Sequence, residues 1–127
     1  MLYNNMFSQV NVLQKAAEAS ALRNEAYTNN IANSDTPGYK RQTVEFEAYL
    51  SSELDKKGYK SSAIDLEKLK PSTITENSQY NTRYDESNID VEVEMTERSK
   101  NSLVYSTLTE SITNNFKSLE IVLNSMK

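Results

Sequence analysis

The chain has 127 residues, 37% hydrophobic and 25% charged, with a net charge of −4, two glycines, two prolines, and neither cysteine nor histidine. One domain of this length, if compact, buries roughly 65% of its unfolded surface, and the missing residues exclude disulfides, thiolate chemistry and the commonest general base and transition-metal ligand. The acidic balance, relieved only by the short runs Lys40-Arg41 and Lys56-Lys57, has the wrong sign for displacing counterions from nucleic acid.

With so few turn formers, long elements are expected, and elements of this composition are helices. From Met6 onward, apolar or small residues recur in a four-three alternation at Met6, Val10, Leu13, Ala17, Ser20, Asn24, Tyr27 and Ile31. Six of these eight are apolar, a helical or coiled-coil stripe rather than a strand alternation. Ala16, Ala19, Ala21 and Ala26 favour helix and keep the neighbouring surface thin enough for another helix to approach. A helix over about residues 1–33 would be roughly 48 Å long. The opening Met-Leu-Tyr-Asn-Asn lacks a basic start and an unbroken apolar run, so no cleaved secretory signal is expected, and export would need another route. Nor is any run near the ~20 apolar residues of a membrane span, so no membrane insertion is expected.

Asn33-Ser34-Asp35-Thr36-Pro37-Gly38 must end the helix. Pro37 pushes Thr36 out of helical geometry, and Pro37-Gly38 suits the central pair of a type II turn. The middle, residues 34–86, is less regular. Val44 and Phe46 alternate as in a short strand, while Phe46, Tyr49, Leu50 and Leu54 suit a helical turn. Lys60 to Arg83 is polar and without sustained period, either a short irregular β element or a segment ordered by partners.

A second long helix is predicted over residues 87–127, with Ser87 and Asp90 in a capping pattern and Asp90, Glu92 and Glu94 at the positive end of the dipole. Its stripe runs Val91, Met95, Arg98, Ser102, Tyr105, Thr109, Ile112, Phe116, Leu119, Leu123 and Met126, eight of eleven apolar, widened by Val104 and Leu108. Two helices cannot cover both stripes, so the excess is a surface for further helices. The acidic run Asp85, Glu86, Asp90, Glu92, Glu94 and Glu97 lacks the glycine and oxygen spacing of a calcium loop, and reads as a solvated helix start. No pocket-forming loop or partner base accompanies these carboxylates, so no enzyme, metal or cofactor is expected.

The string Asn29-Asn30-Ile31-Ala32-Asn33-Ser34-Asp35-Thr36-Pro37-Gly38-Tyr39-Lys40 resembles the N-terminal signature of the flagellar rod and hook family. Asn88-Ile89-Asp90-Val91-Glu92-Val93-Glu94-Met95 resembles that family's C-terminal motif, and Asn101 and Tyr105 fall where the smaller rod proteins carry an N…Y pair. The resemblance covers about residues 1–50 and 85–127, with Thr28 and Ser87 as small departures, and is strongest to proximal rod members.

It implies a mainly α fold, one rod-subunit domain over 1–127, with N- and C-terminal helices packed antiparallel as a coiled coil around an irregular or short-β middle. It implies a structural subunit of the basal-body rod, a drive shaft carrying torque from the MS ring to hook and filament. Implied partners are copies of itself, other rod proteins such as FlgC, the FliE basal-body protein, the MS ring, and the flagellar type III export apparatus in transit to the periplasm or cell-wall space. Phe46 and Leu50 resemble a short element recognised at the export gate. The expected seam is Met6, Val10, Leu13, Val91, Met95, Tyr105, Ile112, Phe116, Leu119, Leu123 and Met126. A coiled-coil adaptor or export chaperone holding a helical partner is the alternative.

Overall fold

The computed structural model describes residues 2–57, 64–76 and 89–126, and excludes the side chains of residues 2–6 and 57. Helix α1, Leu2–Ala32, runs without an internal glycine or proline. It stops where its last carbonyls find local partners. The Asn33 amide donates to the Asn29 carbonyl (3.0 Å), that of Ser34 to Ile31 (3.3 Å), and the Asn33 side chain caps Asn29 again (2.8 Å). The Tyr39 amide then donates to Thr36 across Pro37-Gly38 (3.2 Å), with Gly38 at φ 73°. That is the type II turn the two residue types dictate.

Strand β1, Gln42–Glu45, leaves this turn and pairs antiparallel with β2, Ser72–Thr75, with Gln42 opposite Thr75 and Glu45 opposite Ser72. Between them lies helix α2, Glu47–Lys57. The middle segment is therefore more regular than its sequence pattern suggests, because the strand-like and helix-like signals around Phe46 are both correct. The chain changes from period 2 to period 3.6 at Phe46 itself, which is buried at the junction.

Ala19, Phe46, Ile64 and Leu69 form the main apolar cluster, lined by Val12, Ala16, Leu50, Leu54 and Leu66, with Val10, Ala26, Val44 and Ile89 buried outside it. Each residue of the cluster and its lining belongs to α1 or to the middle segment. Ala16 and Ala19 of α1 are thus where the middle segment approaches closely.

Helix α3, Val91–Ser125, starts on Asp90, whose side chain accepts from the amides of Glu92 (3.0 Å) and Val93 (3.3 Å). Asp90 is the N-cap itself, since an acceptor there satisfies two orphan amides; Ser87 lies outside the described residues. Asn101 of α3 meets Ser20, while Glu94 meets Asn30 further along α1, so the two long helices pack antiparallel.

Gly38 has open space where a Cβ would stand, so any penalty for replacing it is conformational. Gly38→Val is expected to lower unfolding free energy by about 1–3 kcal/mol, and Gly38→Asn by less, because Asn tolerates positive φ. Denaturant titration of the two variants checks this; equal losses would mean that the turn geometry is not what Gly38 supplies.

Candidate assembly surface and its polar supports

Two sets of buried polar contacts tie α3 to α1. Asn101 is buried; its amide donates to the Ser20 carbonyl (2.8 Å) and the Asn24 side chain (3.0 Å), and its carbonyl accepts from the Ser20 hydroxyl (2.9 Å). Two turns nearer the start of α3, the Glu94 carboxylate is 1% exposed. One of its oxygens accepts from the Asn30 amide (2.9 Å), the other from the Arg41 guanidinium. Arg41 also pairs with Glu76 (2.8 Å), whose backbone amide donates to the Arg41 carbonyl (2.9 Å).

Asn30 does double duty. Besides holding Glu94, its side chain clasps the Gln42 backbone at both its amide and its carbonyl, each at 2.8 Å. The end of α1, the first residues of β1, the residue after β2 and the first turn of α3 thus meet in one cluster.

Its electrostatics follow. Burial works against the Arg41 cation, but hydrogen bonding and charge pairing with Glu94, joined by Glu76, more than offset it and raise its pKa. Burial pushes the Tyr27 phenol up, as does the negative charge of Glu97. Burial and Glu94 do the same to Tyr39, whose enclosed hydroxyl has no hydrogen-bond partner among the described residues.

These placements revise the reading of the acidic run. Asp90, Glu92 and Glu97 do sit at the start of α3, but Glu94 is buried rather than solvated, because Arg41 and Asn30 replace its water; Asp85 and Glu86 lie outside the described residues. Within the motif string, Asn30 is buried, Ile31, Asn33 and Tyr39 are half-buried, and Asn29, Ala32, Asp35, Thr36, Pro37 and Gly38 are exposed. The Asn-rich string is therefore both a helix stop and the non-local clasp that Asn30 provides.

The seam residues divide. Val10 is buried and Leu13, Val91, Ile112 and Leu119 are half-buried, whereas Met95, Tyr105, Phe116, Leu123 and Met126 are exposed. The side chain of Met6 lies outside the described residues. Phe46 and Leu50 belong to the apolar core rather than the surface.

Glu94, Arg41 and the Ser20–Asn24–Asn101 set were not legible as supports. One signal was present: Ser20 and Asn24 interrupt an otherwise apolar stripe on α1, and polar residues on a buried face require polar partners opposite.

Two long antiparallel helices, the first ended by a motif-bearing turn, with apolar residues left exposed along the second, are the features of a structural subunit. The family of flagella basal body rod proteins matches residues 11–40. The flagellar basal body rod protein FlgB of Bacillus subtilis (strain 168) is 32% identical over 123 residues, covering 91% of this chain and 92% of that protein. FlgB of Borrelia hermsii is 29% identical over 136 residues, covering 94% and 98%. The chain belongs to the FlgB family of flagellar basal body rod proteins.

Asn101→Ala should leave polar groups of Ser20 and Asn24 unpaired at a buried seam, and is expected to destabilise the folded chain by about 1–3 kcal/mol, read by denaturant titration. A loss within error would remove Asn101 from the supports of α3.

The raised phenol pKa values of Tyr27 and Tyr39 carry a sign. A group whose folded pKa is raised favours the folded state below its unfolded value, about 10 for tyrosine, and loses that contribution as pH rises through the folded value. Stability is therefore expected to fall above about pH 10, and to fall less steeply when Tyr27→Phe and Tyr39→Phe are combined. Thermal melts between about pH 8 and 11, a range that spans the tyrosine value, compare the two chains; identical slopes would contradict the assignment.

Proposed function

We propose that this flagellar rod subunit polymerises in the proximal rod through the outward face of α3, packed against terminal helices of neighbouring rod subunits. The carrying observation is that α3 is already seated on α1 by one face, yet exposes Met95, Phe116 and Leu123 on another. Apolar side chains at that spacing suit helix-to-helix packing. The neighbours that fit this role are copies of the same chain and FlgC-like rod proteins, with a FliE-like protein and the MS ring at the base.

In that position the subunit serves as part of the torque-carrying shaft in the periplasm or cell-wall space, and does no covalent chemistry. Alignment over nine-tenths of a FlgB chain favours this over an adaptor or chaperone role. Export through the flagellar type III apparatus without signal cleavage belongs to the same proposal. Since Phe46 and Leu50 are taken up by the core, an export gate that reads them must do so on the unfolded chain.

Phe116 is 49% exposed and Leu123 52% exposed. Phe116→Asp with Leu123→Asp should thus leave the far-UV circular dichroism of the isolated chain unchanged. In the rod, each change removes about 1–2 kcal/mol of apolar burial and places an unpaired charge at a helix seam. Cells carrying the pair are expected to be non-motile and to lack completed rods by electron microscopy of basal bodies. Normal swimming at normal protein level would sink the proposal.

A further inference from the structure

Two lines of residues on α3 compete for the inward position beside Val91, Ile112 and Leu119. One consists of Met95, Ser102, Thr109, Phe116 and Leu123; the other, one residue earlier throughout, of Glu94, Asn101, Leu108, Asn115 and Val122. Apolar burial alone favours the first line, which offers Met95, Phe116 and Leu123 against only Leu108 and Val122 and carries no charge. The structure takes the second. Glu94 and Asn101 are buried and Asn115 half-buried, while Met95, Ser102 and Phe116 are exposed. Leu108 and Thr109 are both half-buried and Val122 and Leu123 both exposed, so the choice is made between Glu94 and Met95, Asn101 and Ser102, and Asn115 and Phe116. At about 100° per residue, the two arrangements differ by a rotation of the seam of roughly 50°.

What outweighs the apolar preference lies on the α1 side. Ser20 and Asn24 present polar groups that Asn101 satisfies, and Asn30 with Arg41 presents three donors that Glu94 accepts or shares with Glu76. Turning Met95 and Ser102 inward would set a thioether and a lone hydroxyl opposite those groups and strand them away from water. Buried polar pairs of this kind specify orientation and register more than they add stability.

We infer that the two polar clusters are a rotational lock, holding the richer apolar line of α3 outward so that it stays available to a neighbouring subunit. The purpose rests on the assembly reading above; the lock itself does not. It makes Ser20, Asn24, Asn30 and Arg41 positioning residues for a surface that none of them forms.

The chain has no cysteine, so single-cysteine labelling reads the rotation directly. In dilute, monomeric full-length protein, Met95→Cys and Phe116→Cys should react fast with a maleimide, and Leu108→Cys slowly. Combining Ser20→Ala, Asn24→Leu, Asn30→Leu and Arg41→Met removes the α1 half of the lock and leaves Glu94 and Asn101 better placed in water. In that background, labelling at Met95→Cys and Phe116→Cys is expected to slow about tenfold and that at Leu108→Cys to quicken by a similar factor, with helix content kept. An unchanged labelling pattern overturns the lock. If the fourfold change unfolds the chain, the milder Ser20→Ala with Asn24→Leu decides. A shift at Phe116→Cys in the same direction supports the lock; none overturns it. Because labelling is read on monomer, its failure is separate from any failure of motility in the Phe116→Asp and Leu123→Asp cells.

Discussion

A carboxylate as deeply enclosed as that of Glu94 must keep a partner at each oxygen, and that requirement draws Asn30, Arg41 and the first turn of α3 to one point. Stripping such a charge of water without partners would cost several kcal/mol. The partners come from stretches of chain far apart in sequence, so they assemble only when α1, the turn after it and α3 are all in place. Asn30 extends the constraint by fastening the Gln42 backbone, which aligns β1 and through it β2. A single buried charge thus relates every element except α2, which the Phe46 core holds.

Helix α1 divides its surface between two kinds of contact. Val12, Ala16 and Ala19 face the middle segment, where apolar burial supplies cohesion. Ser20 and Asn24 face α3, where directional hydrogen bonds supply orientation. The division suits the proposed presentation of α3 to a neighbouring subunit. Cohesion without a preferred rotation would let α3 turn its apolar residues inward, whereas orientation from a few polar contacts leaves them outside at modest stability.

The turn after α1 joins the two functions. Gly38 and Pro37 reverse the chain tightly enough for Arg41 to reach Glu94 while Tyr39 is enclosed nearby. In the family signature, the residues that stop the helix and the residue that clasps the neighbouring elements are interleaved, and Asn30 is the most deeply buried of them, followed by Ser34. A motif that looks like a helix terminator in one dimension is a junction in three.

Much of this architecture follows from local chemistry. The four-three recurrence from Val10 to Ile31 and from Val91 to Met126, the scarcity of glycine and proline, and the Thr36-Pro37-Gly38-Tyr39 turn specify two long helices and a sharp reversal, because periodicity and backbone sterics act over a few residues. The change from strand to helix at Phe46 was present as two overlapping patterns, but choosing both required the core that Ile64 and Leu69 complete. Which side of α3 meets α1 was not written in hydrophobicity, which favours the line through Met95 and Phe116. Tertiary structure decided it, since, among the described residues, the charge of Glu94 and the amide of Asn101 are satisfied by groups from α1 and Arg41, and sequence periodicity does not record which distant polar groups will meet.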